Sequence, residues 1–475
     1  MRILFHLGYP GLLRMFGSTV RELSERGHEV VLAYDMAEKK RSAAAAEIEA
    51  LPGVRVIGPV PWGLAGTSAD VQRRTADYLR YLDRRLAGTP YRQRLESKTP
   101  KSALEFARRR GARYLARPYV RGLVWRDRFR PPDPENLAYV ESVRPDAVVV
   151  APLISRGEWG ARQTETVKSA KHLAIPVAAA IASWDHLTTK GIVKLVPDRV
   201  IVWNRAQRRE AVQLHRVPRR RIVVTGAQPF DQWFSKEPAA SREEFLGSVG
   251  LGAGRPYVLY VGSSPNITPA EREIAFVRRW LEALRAAGPP LSGLGCLVRP
   301  HPGNIDAWAA VDFANLGCAI APRTRPGIPM DEADEALYFH SIHFADAVVG
   351  INTSAILETL IQRRPVLTIR APEFAQEDTL HFRHLLPEAG GCLLLATTMD
   401  DHLVQLSDVL ENGDRHRAEI ERFLVDFLRP HGLDTPATPL VADAIEALES
   451  LPRRRPLSAR LAFSGAAFAR REQQA

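Results

Sequence analysis

The densest run of residues able to do chemistry lies between Arg299 and Ile369. It opens with Arg299-Pro300-His301-Pro302. His301 follows an apolar run, and the flanking prolines fix its backbone. An imidazole held that way can donate to a diphosphate and stabilise a leaving group; the plainer reading is a histidine packed at a strand end. Arg299 is read with the same donor side, although strand alternation turns it away from His301. Upstream, Gly262-Ser263-Ser264 follows another apolar run, and small residues there let a phosphate approach the backbone. Gly and Ser are also ordinary loop residues. Downstream, Ala347–Val349 reads as a buried strand, Gly350 as a turn, and Asn352-Thr353-Ser354 as the opening of a helix. Free N–H groups and the positive helix end make such a start an anion site. Thr353 and Ser354 are common capping types, and capping alone explains one of them. Glu358 sits in the apolar stretch Ala-Ile-Leu-Glu-Thr-Leu-Ile, where a carboxylate is costly without partners. A ribose or sugar hydroxyl would supply them. Gly350, Thr353, Ser354 and Glu358 together predict a site for a nucleotide diphosphate.

Attack by a hydroxyl on such a donor would also need a base. Asp185 and His186 follow the apolar run Val177–Ile181, so they should emerge where an acceptor hydroxyl loses its proton. The alternative is a turn whose Asp caps the next helix. Trp184 beside them could stack on a sugar or simply pack. His6 and Gly8, at the end of the first apolar run, are assigned to the acceptor side. The turn Gly8-Tyr9-Pro10-Gly11 lacks G-x-G-x-x-G, which argues against a dinucleotide cofactor, and no cofactor is expected. No metal-ligand spacing, no Asp-x-Asp between apolar strands and no Gly-x-Ser-x-Gly elbow occurs. Asp331-Glu-Ala-Asp-Glu335 reads as a solvated helix start.

These residues need elements to hold them. Short apolar runs alternate with helical patterns in both halves, which predicts parallel, doubly wound sheets. In the first half the strands are Ile3–Leu7, Glu29–Tyr34, Val54–Val60, Ala147–Pro152, Pro176–Ser183, Val200–Trp203 and Ile222–Thr225. In the second they are Tyr257–Val261, Cys296–Arg299, Cys318–Ala321, Ala347–Val349, Val366–Arg370 and Cys392–Ala396. The expected class is α/β. Two Rossmann-like domains, 1–230 on the acceptor side and 256–450 on the donor side, should face a cleft beyond the strand carboxyl ends. Residues 231–255, rich in Gly, Pro and charge, read as a linker, and 451–475 as a basic tail that is either an amphipathic helix or a frayed end.

At 475 residues, with 45% hydrophobic and 25% charged residues, the chain has the composition of a soluble globular protein. Three cysteines give no disulfide framework and suit a reducing cytoplasm. No apolar run reaches the ~18 residues of a membrane span. The net charge of +11 is concentrated: Val71 to Arg130 holds eighteen Lys and Arg against five acids, a surplus larger than the total. A helical insertion at about 65–135 is expected to carry it. Aromatic residues, including Tyr78, Tyr81, Tyr114 and Trp125, are interleaved there. The segment reads as a patch for an anionic membrane surface, or else as solvated Arg-rich helix faces. No nucleic-acid recognition motif accompanies it.

The passage Val223-Val-Thr-Gly226…Phe230-Asp231, the His301-Pro302 pair and Thr353-Ser354…Glu358…Pro365-Val366 together resemble a GT-B fold glycosyltransferase. The nearer likeness is to bacterial surface-polysaccharide and CDP-glycerol glycerophosphotransferase-like proteins, which Ser183-Trp-Asp-His-Leu-Thr-Thr-Lys-Gly191 also resembles. The resemblance covers nearly all of the chain outside the insertion and tail. It implies a metal-independent transfer of a sugar from a nucleotide-activated donor to a glycan or lipid-linked cell-envelope acceptor, in the cytoplasm or at the inner membrane face. It gives His301 the leaving-group role. The UDP-N-acetylglucosamine 2-epimerases share the fold and remain a rival reading, as do a CDP-linked glycerophosphotransferase and a non-catalytic polysaccharide-binding relative.

Overall fold

The structure is a computed structural model. It describes all residues except 38–41, 87–90, 155–157, 253, 266, 325–331, 352, 375–378 and 454–475. Asn352, Asp331, the start of the segment after Pro152 and most of the basic tail therefore lie outside the described residues. The chain divides into two compact units, Met1–Pro229 with the chain from Phe427 onward, and Phe230–Asp426.

The first unit holds β1 (Arg2–Leu7), β2 (Glu29–Tyr34), β3 (Val54–Val56), β4 (Ala147–Ala151), β5 (Val177–Ala180), β6 (Arg199–Val202) and β7 (Ile222–Val224). They pair in parallel in the order β3-β2-β1-β4-β5-β6-β7. The second unit holds β8 (Tyr257–Val261), β9 (Gly295–Arg299), β10 (Cys318–Ile320), β11 (Ala347–Gly350), β12 (Val366–Ile369) and β13 (Leu394–Ala396). Their order is β10-β9-β8-β11-β12-β13, again all parallel. Each sheet starts in its middle and winds outward both ways. Each thus has a switch point, at β1/β4 and at β8/β11, where loops leave in opposite directions. The central strands are buried on both faces, which is why they read as continuous apolar runs rather than alternating ones.

Two boundaries differ from expectation. Residues 231–255 are a packed part of the second unit. Helix Arg242–Ser248 is closed by a capping box between Ser241 and Glu244, and Arg242 Nη2 donates to Asp346 at 2.7 Å. At the other end, helix Ala437–Glu446 belongs to the first unit. It packs Val441, Ala442 and Ile445 into the core around helix Leu13–Glu25. Arg26 bonds Asp443 and Glu446 at 2.7 and 2.8 Å. Gly226, at φ +102°, lets this return pass, since a Cβ there would lie 2.8 Å from Ala437 Cβ.

Between β3 and β4 run helices Ser68–Leu79, Tyr91–Glu96, Lys101–Arg108, Ala112–Phe129 and Pro134–Val143. Part of the segment's charge is interior. Arg73 is 1% exposed. It forks onto Asp127 at 2.9 and 3.0 Å and also bonds Glu165. Lys194 pairs with Asp77 at 2.8 Å, and buried Arg80 donates to the carbonyls of Leu187, Lys190 and Gly191. Tyr78 and Tyr81 are buried as well. These residues pin the insertion to the sheet and do not belong to a surface patch. The exposed share is spread from Arg84 to Arg128, and on helix Ala112–Phe129 it is mixed with Tyr114, Leu115 and Trp125, which are 61, 59 and 64% exposed.

Candidate functional site

Most of the expected donor residues meet at one edge of the second sheet. In register, Val261 of β8 stands between Arg299 of β9 and Gly350 of β11, so the three loops that follow leave side by side at the switch point. Three bonds tie them together. Gly262 N donates to Arg299 O at 2.8 Å, Asn304 Nδ2 to Ser263 O at 3.1 Å, and Ser263 Oγ to Ile351 O at 2.8 Å.

Gly262 and Ser263 are builders of the site rather than ligand groups. A Cβ on Gly262 would lie 2.8 Å from His301 N and 3.1 Å from Arg299 O, so only glycine admits the close approach of the two loops. Ser263 is fully buried with its hydroxyl used inward. Its N–H donates to Glu273 Oε1 at 2.6 Å. Tyr260 also reaches that oxygen, at 3.2 Å. Burial pushes the Glu273 carboxyl up to about 7. Ser264 is half-buried, and its hydroxyl makes no hydrogen bond among the described residues.

His301 stands on the loop that Gly262 admits. Gly303 N donates to its Nδ1 at 2.9 Å, and Asn304 N to its carbonyl at 2.8 Å. Accepting at Nδ1 places the ring proton on Nε2. Burial lowers the His301 pKa, so the ring is a neutral donor at neutral pH. Nε2 makes no hydrogen bond among the described residues.

Arg299 and Glu358 meet through a residue that the sequence reading did not single out. Tyr338, on helix Glu332–His343, receives the Arg299 guanidinium over its ring at 4.3 Å and donates its hydroxyl to Glu358 Oε2. Burial, then the adjacent carboxylate, raises the Tyr338 pKa well above its ordinary value, so the phenol keeps its proton. Burial lowers the Arg299 pKa. Glu358 thus has a protein partner. A carboxylate has capacity for more than one donor, so a ligand hydroxyl can share it. The local signal for Tyr338 is nil, because an aromatic residue in a helix normally reads as packing, and its ring does meet Trp233 edge-on at 5.5 Å.

Gly350 is buried at the end of β11. Thr353 Oγ1 accepts weakly from Ala355 N at 3.4 Å, and exposed Ser354 makes no capping bond. The helix behind them is Ala355–Ile361.

The acceptor-side residues lie in the first unit. His6 is fully buried on β1, with Nδ1 on Thr166 at 2.9 Å and Nε2 on Asp35 at 2.8 Å. Both ring nitrogens are engaged, so His6 is a structural residue as it stands, and the expectation that it touches the acceptor is corrected. Asp35, its partner, was not foreseen; burial raises its pKa. Gly8 O accepts from Met36 N at 3.2 Å, joining the β1 and β2 loops. Trp184 is buried. Asp185 Oδ1 accepts from Ser183 at 2.7 Å, and Oδ2 from Thr189 at 2.7 Å with Lys190 at 3.5 Å. That carboxylate organises its own turn. His186 opens the one-turn helix His186–Thr189 and is half-buried.

No protein-family model matches the chain, and no curated protein is a detectable sequence relative. Solved structures do resemble it. Staphylococcus aureus MnaA, solved with UDP, superposes with a TM-score of 0.52 at 12% identity, over 96% of this chain and 98% of that one. The UDP-GlcNAc 2-epimerase of Neisseria meningitidis, bound to UDP-GlcNAc, gives 0.50 at 11% identity over 94 and 100%. A glycosyltransferase from Rickettsia africae gives 0.51 at 9% identity over 94 and 98%. At such identities the likeness is one of fold, with two Rossmann-like α/β domains built as observed. The chain has the fold shared by GT-B glycosyltransferases and the UDP-GlcNAc 2-epimerases.

Proposed function

We propose that the chain is a glycosyltransferase that moves a sugar from a nucleotide-activated donor to a cell-envelope or polysaccharide acceptor. The observation that carries this reading is His301: a neutral imidazole, its tautomer fixed by Gly303, offering Nε2–H at the carboxyl end of β9. In the transfer an acceptor oxygen bonds to the anomeric carbon as the bond from that carbon to the diphosphate breaks. Negative charge appears on the diphosphate, where a fixed donor is worth most. Ser264, Thr353 and Ser354 would hold the phosphates, and Glu358, oriented by Tyr338, a ribose or sugar hydroxyl. The acceptor's proton goes to a base in the first unit. Because Asp185 already serves three donors in its own turn, His186 is the base we assign. The donor and acceptor are substrates, no cofactor is invoked, and an acceptor on a lipid would bring the protein to the inner membrane face.

The fold neighbours solved with UDP and UDP-GlcNAc support a nucleotide-sugar substrate and keep an epimerase as the second reading. Incubation with a panel of nucleotide donors separates the readings. Release of a nucleoside diphosphate with a glycosylated product supports transfer. Release of CMP marks a glycerophosphotransferase, and a new sugar epimer that leaves the enzyme as a nucleotide sugar marks an epimerase.

A further inference from the structure

The first unit contains a cavity of about 870 Å³ that has no part in the chemistry above. It lies at the amino-terminal edge of the sheet. Its lining includes Lys171 in the last turn of helix Glu158–His172, Val196 just before β6, and Arg221 just before β7. Helix Ala112–Phe129 forms the other wall. Leu79, Leu86, Val120, Val193, Leu195 and Leu214 give it an apolar wall, and the buried polar groups beside them, Arg80, Lys194 and His215, are bonded to the protein itself.

The rim is cationic and under-neutralised. Arg117, Arg121, Arg128, Arg216 and Arg220 line it, and none of their guanidinium groups makes a hydrogen bond or ion pair among the described residues. Asp83 is the one acid of the lining, and it is taken by Arg85 at 2.6 Å. Burial lowers the Arg216 pKa, and the charges of Arg121, Arg117 and Arg85 lower it further, so these guanidinium groups feel one another. Trp125 stands on the rim, 64% exposed, and Tyr114, Leu115 and Tyr119 are exposed on the same helix. Rings and aliphatic residues mixed with arginine suit the boundary of a bilayer.

We propose that this cavity binds a phosphate-headed membrane lipid, with hydrocarbon against the apolar wall and the phosphate on Arg117, Arg121 and Arg216. Charge complementarity selects the head and the apolar lining selects the tail. The inference deepens the membrane part of the functional reading and rests on it for its biological sense. Its test contains no nucleotide, so a failure of sugar transfer leaves the result standing.

The test is calorimetry of the full chain with inorganic phosphate and with hexyl, octyl and decyl phosphate below their micellar concentrations. Each buried methylene should raise affinity about three- to fourfold, so decyl phosphate should exceed hexyl phosphate by on the order of a hundredfold. Arg117→Glu with Arg121→Glu should weaken decyl phosphate by about tenfold or more. Gly122→Phe keeps every charge and adds a ring at the cavity wall. It lines the cavity and nothing lies within 4 Å of a Cβ at this position, so the variant should fold, which a thermal melt checks. Gly122→Phe should lose decyl phosphate while still sedimenting with phosphatidylglycerol vesicles at low salt. Equal affinity for inorganic and decyl phosphate would make this a site for free phosphate and overturn the proposal. Unchanged decyl phosphate binding by a folded Gly122→Phe, or by the double Glu variant, would overturn it as well.

Discussion

Glu273→Gln tests whether the loop that positions His301 is as closed as the geometry implies. Glu273 is fully buried and is the acceptor for Ser263 N, and Ser263 in turn bonds the β9 and β11 loops through Asn304 and Ile351. Its carboxyl is raised from 4.5 to about 7, mainly by burial. Below the unfolded value both states carry the proton and the folded loop is at its most stable. As pH rises through 4.5 the unfolded chain ionises freely while the folded one resists, so stability falls until the folded group ionises near 7. The full loss is roughly 3 kcal/mol, and most of it, roughly 2 to 3 kcal/mol, falls between pH 5 and pH 8. Glutamine keeps the accepting oxygen and cannot ionise. Hydrogen exchange of β8 peptides, corrected for intrinsic rates, reads the local opening free energy in each protein. The parent should lose stability relative to Glu273→Gln as pH rises over that window. A difference that stays flat within about 0.5 kcal/mol would mean that water reaches Glu273 and that the loop is not held as described.

His301→Ala should lower turnover by about a hundredfold or more with little change in donor affinity, because the donor it removes acts on charge that develops late; near-normal turnover in a folded variant would leave His301 a structural residue. Glu358→Ala should weaken nucleotide-donor binding by about tenfold or more in calorimetry, and Tyr338→Phe by less, since it removes only the group that orients the carboxylate. Gly262→Ala should depress turnover while leaving most of the fold intact, because its Cβ would press on His301 N from 2.8 Å; an unaffected rate would show that the loop gives way without consequence. Arg73→Met should cost about 3 to 5 kcal/mol in unfolding by stranding Asp127 and Glu165, whereas Arg117→Ala should cost under about 0.5 kcal/mol.

The thirteen strands of the described residues were legible as short runs closed by turn residues; the central ones, buried on both faces, leave no alternation to misread, whereas edge strands such as Val54–Val56 are only partly buried. The loops of the candidate site were legible for the same reason, since their place after a strand follows from the strand. What the sequence hid was pairing at long range. Arg73 and Glu165 are 92 residues apart, and nothing local marks either as interior, so a buried ion cluster was counted as surface charge. The segment 231–255 has a linker's composition, yet its helix is capped and its Arg242 finds Asp346, 104 residues on. Helix Ala437–Glu446 follows the second sheet in sequence and packs on the first, a return visible in the tertiary contacts of Val441, Ile445 and Arg26 and not in the local sequence. Tyr338 escaped notice because a hydroxyl at the end of an aromatic ring gives no periodic signal.

The two sheets offer a comparison between two histidines in similar positions. Both follow the same winding rule, and each carries a histidine at the carboxyl end of a strand beside the switch point, His6 on β1 and His301 after β9. In the first, Asp35 and Thr166 take both ring nitrogens and no surface is left. In the second, a single backbone N–H takes Nδ1 and the other nitrogen faces away from any partner among the described residues. No carboxylate bonds the His301 ring among the described residues, and burial lowers its pKa, so it is a neutral donor. A neutral donor can meet a diphosphate without first being titrated, and it gains most as the leaving group becomes more negative. The same residue type at analogous edges is thus a brace in one unit and, on the function proposed here, the leaving-group donor in the other, and what divides them is the partner on the second nitrogen.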